Sequence, residues 1–276
     1  RPMMPPWLMM HMTVRSWPLL ASPPLDVLMM GLLAPLVLIA LLALSLGLRL
    51  YRLDHQSLWN DEGTSVALAQ RDVATILRNA EDDIHPPLYY LALHSWVQAT
   101  GITESAVRGL SVLTGVLIVA GTYLLARQLL SSRASLLAAL FAALSPFQVY
   151  YSQETRMYIG GTLAAVALVA SCNALFTRWE RRATLVSWPA LAVTAAGIAV
   201  LYTHYYGATV LVAVNAAFLI WCLLNRQSKG AFPWGACLRW AAIMLVTVAA
   251  FVPWLLRAWA TIVHWPAVST PRTLLQ

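Results

Sequence analysis

Residues 25–50 read LDVLMMGLLAPLVLIALLALSLGLRL, a run in which Asp26 and Arg49 are the only charged residues. About 20 apolar residues cross a bilayer core, so this run is long enough to be a membrane span. The same character extends along the chain, since 60% of its 276 residues are hydrophobic and 11% are charged, whereas soluble domains carry about 25% charged residues. The sequence therefore predicts an all-α polytopic membrane protein.

Further apolar runs of span length follow this first one. They lie at about 105–126, 134–151, 157–177, 184–203, 207–224 and 239–257. The apolar piece 87–101 is shorter than a usual span and contains His94, Ser95 and Gln98, which favours an interfacial or re-entrant helix over a crossing. We therefore predict about seven transmembrane helices.

The charged residues orient these spans. With residues 1–24 in the cytoplasm, the inner loops collect the basic residues Arg127, Arg133, Arg178, Arg181, Arg182, Arg226, Lys229 and Arg239, in agreement with the positive-inside rule. Of the 11 acidic residues, only Asp26 and Glu180 fall inside. Counting 87–101 as a crossing would move Arg178 and its neighbours outside. The predicted location is the plasma (inner) membrane, with the polar loops on its extracytoplasmic face.

The membrane module is predicted to cover residues 25–259. Its first extracytoplasmic loop, 51–104, contains a helical stripe of apolar residues from Gly63 to Asn79 that is typical of a juxtamembrane helix. Residues 260–276 are predicted to be an extracytoplasmic tail. Because the chain starts at Arg1, we expect it to be either processed or a fragment, with a truncated tail.

Asp61 and Glu62, in the stretch LWNDEG at 58–63, form the first of three polar stretches in the predicted outer loops. They could cap the helix that follows, because free amides and the helix dipole favour carboxylates there. Capping needs only one acidic residue, however. Beside Trp59 at a membrane surface, the pair also fits a general base for an acceptor hydroxyl.

The second stretch, DDIHPP at 82–87, could be a polar cap with prolines at the first helical turn. That explanation leaves His85 without a role, whereas Asp83 and His85 could hold a divalent metal ion or the phosphate of a lipid carrier. His204, which ends the fifth predicted span, could be an interface residue, a metal ligand or a phosphate contact.

The third stretch, YYSQETRMY at 150–158, separates two spans. A short turn with an aromatic belt would explain it. Alternatively, Arg156 could neutralise a phosphate with its planar guanidinium while Glu154 orients it.

Glu104 and Arg108 are spaced i, i+4, and we predict a helix-surface ion pair between them. We expect no nucleic-acid partner, because the sequence has no basic cluster with interleaved aromatic residues.

The order of these motifs resembles that of membrane glycosyltransferases of the GT-C fold. The residues that carry the resemblance are LWNDE at 58–62, HPPLYY at 85–90, SPF at 145–147 and YSQETRMY at 151–158. More narrowly, they resemble the protein O-mannosyltransferase and aminoarabinose-transferase group, in its bacterial family 39-like branch. The resemblance covers roughly Leu25 to Trp259.

This resemblance implies a polyprenyl-phosphate-linked sugar as donor and an acidic base in the first extracytoplasmic loop, at the position of Asp61. We expect Asp61, with Glu62 beside it, to activate a hydroxyl of a lipid, glycan or protein acceptor, and a hexosyl or pentosyl group to be transferred with inversion. The expected phosphate contacts are Arg156, His85, Glu154 and Tyr151. A divalent metal ion held by Asp83 and His204 is the expected cofactor, if there is one.

The alternative is a membrane protein that binds or transports lipids without chemistry, or a structural subunit in which all these residues are caps and belt residues. A transport pathway favours charges near the bilayer midplane. Here the acidic residues gather at one predicted surface, and we find no convincing pair of inverted repeats. The sequence therefore favours the enzyme.

Overall fold

The computed structural model describes residues 25–181, 187–229 and 232–264, and within these ranges the chain forms helices and no strand. The predicted cytoplasmic segment 1–24, most of the predicted tail and Arg182 lie outside them. The helices are α1 (Leu25–Leu50), α2 (Asn60–Ala69), α3 (Val73–Glu81), α4 (Leu88–Thr100), α5 (Glu104–Leu129), α6 (Ser132–Leu144), α7 (Pro146–Ser152), α8 (Tyr158–Arg181), α9 (Trp188–Thr203), α10 (Gly207–Lys229) and α11 (Trp234–His264).

Each of the seven predicted spans corresponds to a helical segment. Within the described ranges, α1, α5, α8, α10 and α11 are long and apolar enough to cross a membrane as single helices. The predicted span 134–151 is instead the pair α6 and α7, bent by 56°. Ser145 caps α7 by accepting from the Gln148 amide, and Pro146 starts it. Helix α9 has 16 residues, a length of about 24 Å.

The loop between α1 and α5 contains three short helices. Helix α4 has 13 residues, too few to cross a bilayer, in agreement with the prediction that 87–101 does not cross. The single juxtamembrane helix predicted from Gly63 to Asn79 is wrong, because two helices lie there. Asp72 caps the N-terminus of α3 by accepting a hydrogen bond from the Thr75 amide at 3.0 Å. This cap favours a new helix start at Asp72 over a continuation of α2.

Arg49, at the end of α1, fixes the position of α7. Its side chain is fully buried, and its Nε donates to Ser152 Oγ at 3.1 Å while its Nη1 donates to Ser45 Oγ at 2.7 Å. Gly115 of α5 leaves room for this contact, since a Cβ there would lie 2.6 Å from Arg49 Nε. Gln153 donates back to the Arg49 carbonyl at 3.1 Å. The connection from α7 to α8 is therefore fastened to α1.

A buried ion pair between Glu62 and Arg108 fastens α2 to α5. Arg108 Nε donates to Glu62 Oε1 at 2.9 Å and its Nη2 donates to Oε2 at 2.7 Å, a bidentate geometry. Arg108 Nη1 also donates to the carbonyls of Leu53 and Gln56, at 2.7 and 2.8 Å. The Thr155 amide donates to Glu62 Oε1 at 2.8 Å. One carboxylate therefore joins α2, α5 and the connection from α7 to α8.

The ion pair predicted between Glu104 and Arg108 is accordingly wrong. Glu104 is exposed, where an i, i+4 pair stabilises by only about 0.2–0.5 kcal/mol. Glu62 instead offers a bidentate partner away from water, which satisfies two guanidinium donors at once. Local spacing predicted a weak surface pair, and the long-range buried pair forms in its place.

We expect Glu62→Gln to lower the free energy of unfolding by about 3–5 kcal/mol, because it leaves the Arg108 cation buried without an anion. Burial raises the pKa of Glu62, but the Arg108 guanidinium and the Thr155 amide lower it further, to below its ordinary value. The carboxylate therefore stabilises the fold fully above its unfolded pKa of about 4.3, and this contribution is lost as pH falls through the folded pKa.

Denaturant unfolding of the detergent-purified protein between pH 7 and pH 3 measures this effect. The stability advantage of the parent over Glu62→Gln should shrink below about pH 4.3. Glu104→Gln is the matched control, and its stability should stay within about 0.5 kcal/mol of the parent. Equal stability of Glu62→Gln and the parent at pH 7 would contradict the structural role of the pair.

Candidate active site

The three polar stretches of the sequence meet with His204 at one end of the helix bundle. Asp61 Oδ2 lies 3.5 Å from Arg156 Nη2, and the Arg156 guanidinium lies over the Tyr158 ring, 5.7 Å from its centroid. The Tyr158 and His204 rings are 6.3 Å apart, and the His204 and His85 rings meet edge to face at 5.2 Å. The residues form one continuous cluster.

Arg156 is the incompletely satisfied cation of this cluster. Arg156 is only 6% exposed, yet its Nη1 donates only to Ser65 Oγ and to the Asp61 carbonyl, each at 3.4 Å. Its buried Nε has no hydrogen-bond partner. Charge-assisted bonds between guanidinium and carboxylate groups are usually about 2.7–2.9 Å long. Arg156 therefore keeps unused capacity to bind an anion.

Asp61 and Glu62 are neighbours in sequence but occupy different environments. Successive residues of a helix point about 100° apart, and Glu62 faces the protein interior while the Asp61 side chain is 40% exposed. Glu62 also accepts from the Trp59 amide at 3.4 Å, so the capping role belongs to it. Its lowered pKa and full set of partners leave Glu62 poorly suited to take a proton. Asp61 is the accessible carboxylate.

A cavity of about 670 Å³, here called the histidine cavity, opens beside the cluster. His85, His204, Tyr151 and Tyr158 form its polar end. Side chains of α7, α8, α9 and α10 form most of the rest, among them Phe147, Ala165 and Val210. Burial, followed by the nearness of His85 and Arg156, lowers the pKa of His204, so this imidazole is neutral at pH 7. The Arg156 guanidinium lies over the Tyr158 ring at this end.

Asp83 orients His85. Its carboxylate accepts from the Tyr90 hydroxyl at 3.0 Å and lies 3.4 Å from His85 Nδ1. His204 Nδ1 accepts from the Tyr206 amide at 3.2 Å. In the described ranges, no group of three His, Cys, Asp or Glu side chains is arranged to hold a metal ion. Asp83 and His204 make these other contacts, and the metal site expected from them stays a prediction.

Glu154 lies on the other side of α7 from the histidine cavity. It lines a second cavity of about 390 Å³, here called the tryptophan cavity, whose walls are Arg52, Leu53, Gln56, Trp59, Glu62, Arg108, Tyr150, Gln153 and Glu154. Burial raises the pKa of Glu154, although the Tyr150 hydroxyl lowers it in part. The structure therefore separates Glu154 from the other predicted phosphate contacts, His85 and Tyr151.

Sequence reasoning missed the roles of Arg108, Arg49 and Ser65. Arg108 has a neighbour four residues away, and this spacing concealed its distant partner. Arg49 carried a signal, because an arginine at the predicted outer end of a span departs from the positive-inside rule and needs another explanation. Ser65 follows Asp61 by four residues on α2, and that spacing places both on the face that meets Arg156.

A comparison with protein families extends these observations. The model of the family described as dolichyl-phosphate-mannose-protein mannosyltransferase matches residues 84–256, well over half of the chain. The matched range contains His85, Arg156 and His204. No curated protein matched the chain. The chain therefore belongs to the dolichyl-phosphate-mannose-protein mannosyltransferase family, and it is a multi-pass membrane glycosyltransferase of the GT-C type.

Proposed function

We propose that this protein transfers a sugar from a polyprenyl-phosphate carrier to an acceptor hydroxyl, with Asp61 as the general base. The observation that carries the proposal is the state of Arg156, which is nearly buried, has a free Nε and contacts both Asp61 and Tyr158, a wall residue of the histidine cavity. The motif order further supports a place in the protein O-mannosyltransferase and aminoarabinose-transferase group.

The histidine cavity has a polar end and apolar walls, which match the phosphate and the isoprenoid chain of the donor. The phosphate lies at the polar end, where Arg156 supplies charge and His85, His204 and Tyr151 supply hydrogen bonds. The isoprenoid chain runs along the apolar walls made by α8, α9 and α10. A guanidinium with an unused donor edge binds phosphate oxygens well because its planar fork matches their geometry.

The proposed reaction is a direct displacement at the anomeric carbon. Asp61 accepts the proton of the acceptor hydroxyl, and the hydroxyl oxygen bonds to the anomeric carbon on the face opposite the phosphate. The bond between this carbon and the phosphate oxygen breaks, and its electron pair leaves with the phosphate. The configuration inverts. Arg156 stabilises the charge that develops on the leaving phosphate, which is commonly the largest electrostatic contribution to such a transfer.

The contact between Asp61 and Arg156 links the two substrates. The Arg156 guanidinium lies 3.5 Å from the Asp61 carboxylate and over the ring of Tyr158, a wall residue of the histidine cavity. The group that binds the donor phosphate and the group that accepts the acceptor proton are therefore neighbours.

We propose the extracytoplasmic face as the site of transfer. Support comes from the arginines, which gather at the ends of helices away from the cluster, at Arg127, Arg133, Arg178 and Arg226. Positive residues are enriched on the cytoplasmic side. Tyr158 and His204 lie at or beside the other ends of α8 and α10, which supports a reaction outside the cytoplasm.

We expect Asp61→Asn to reduce the transfer rate by about 10²–10⁴-fold, because asparagine cannot take the acceptor proton. Folding and donor binding should persist, since the exposed side chain keeps its size. The measurement is transfer of a radiolabelled sugar from a polyprenyl-phosphate donor by purified protein. Asp72→Asn is the matched control in the same loop, because asparagine caps α3 about as well as aspartate. Transfer at the parental rate by Asp61→Asn would refute the assignment.

Arg156→Lys should weaken donor binding at least about tenfold, equivalent to about 1.4 kcal/mol, because an ammonium group keeps the charge but loses the planar fork. Binding of radiolabelled donor to protein in nanodiscs measures the dissociation constant, and thermal unfolding checks the fold. Arg257→Lys serves as the control, since Arg257 is exposed and pairs with Glu81 away from the cluster. An unchanged donor dissociation constant in Arg156→Lys would show that Arg156 does not hold the phosphate.

A further inference from the structure

The tryptophan cavity adjoins the histidine cavity but shares no lining residue with it. Tyr150 lines the first and Tyr151 lines the second, and their rings meet edge to face with centroids 5.2 Å apart. A direct displacement needs a place for each substrate near the base. With the donor in the histidine cavity, the tryptophan cavity is available for the second substrate.

The tryptophan cavity has a neutral floor and mixed polar walls. Glu62 and Arg108 form the floor, and each neutralises the other. In the described part of the chain, the side chains of Arg52 and Gln56 make no hydrogen bond, and Glu154 adds a carboxylate to the wall. Guanidinium and amide groups donate, and carboxylate and amide oxygens accept. A hydroxyl group does both, so a ligand with several hydroxyls matches these walls.

The same walls are poorly suited to an extended peptide. Arg108 already binds the backbone carbonyls of Leu53, Gln56 and Ser57, at 2.7, 2.8 and 3.4 Å. An extended peptide gains affinity by pairing with free backbone groups, and here these carbonyls are occupied. Two aromatic rings of the wall are accessible as well, because Trp59 is 43% exposed and Tyr150 is 59% exposed. Such rings cover the apolar face of a sugar while its hydroxyls bond to the polar walls.

The backbone at Arg52 supports a functional role for this cavity. Arg52 has a φ of +56°, the only positive φ of a non-glycine residue among the described residues. Side chains disfavour this conformation, and strained residues of this kind persist where the surrounding structure enforces them, often at ligand sites. The turn ends α1 and brings the Arg52 side chain to the cavity wall.

We propose that the tryptophan cavity binds the acceptor, and that the acceptor is a sugar unit of a glycan or glycolipid. This inference rests on the proposed function, whose base Asp61 comes directly before the cavity residue Glu62 on α2 and two residues after Trp59, the cap of that helix. The sugar stacks on Trp59 and Tyr150 and presents one hydroxyl to Asp61. That hydroxyl loses its proton to Asp61, and its oxygen forms the new glycosidic bond as the donor phosphate leaves.

Saturation-transfer NMR on the full chain in nanodiscs tests the proposal without donor. The probes are the methyl α-glycosides of mannose, glucose and galactose, and a threonine-rich peptide. At least one glycoside should receive saturation transfer, and Trp59→Ala and Tyr150→Ala should each weaken this signal at least about fivefold by removing a stacking surface. Trp259→Ala should leave it unchanged, since Trp259 is also an exposed tryptophan but lines neither cavity.

Asp61→Asn separates this inference from the proposed function, because glycoside binding should survive the loss of the base. Parental transfer activity in Asp61→Asn would overturn the proposed mechanism and leave the binding site standing. The inference itself would be overturned by three results: no glycoside signal, a glycoside signal that both cavity variants leave unchanged, or a peptide signal that depends on Trp59.

Discussion

The buried ion pair between Glu62 and Arg108 is the interaction on which the candidate active site depends. Glu62 receives donors from α5, from the connection between α7 and α8, and from the start of its own helix. Arg108 in turn holds three carbonyls of the segment that follows α1. A buried pair of this kind is weak evidence for net stability, but loss of one partner is costly. Its effect here is to fix the relative positions of four chain segments.

These positions give two adjacent carboxylates different chemistry. Because Glu62 is fully paired, its proton affinity is low and it acts as a scaffold. Asp61 lies one residue earlier and faces Arg156, whose guanidinium has weak contacts and an unused nitrogen. Arg49 holds Ser152 and Gln153 on the far side of the same connection. Two buried arginines thus support the loop that carries a third, Arg156, whose Nε has no hydrogen-bond partner.

Much of the fold follows from the sequence because it depends on long apolar runs and on the distribution of arginines. The seven helical segments, the short α4 and the meeting of the polar stretches at one end were predictable in this way. The break between α2 and α3 was not, because a single capping aspartate, Asp72, outweighs a continuous apolar stripe. The partner of Arg108 was also unpredictable, since it depends on packing between segments 46 residues apart. The division of the loop residues between two cavities likewise depends on the position of α7 alone.

The proposed position of the donor phosphate can be tested directly. Cryo-electron microscopy of the protein in nanodiscs with a non-hydrolysable polyprenyl phosphonate sugar would show where it lies. We expect phosphonate oxygens within hydrogen-bonding distance of Arg156 at the polar end of the histidine cavity, with the anomeric carbon facing Asp61. A phosphonate bound by Arg52 in the tryptophan cavity, or at the opposite end of the bundle, would contradict it.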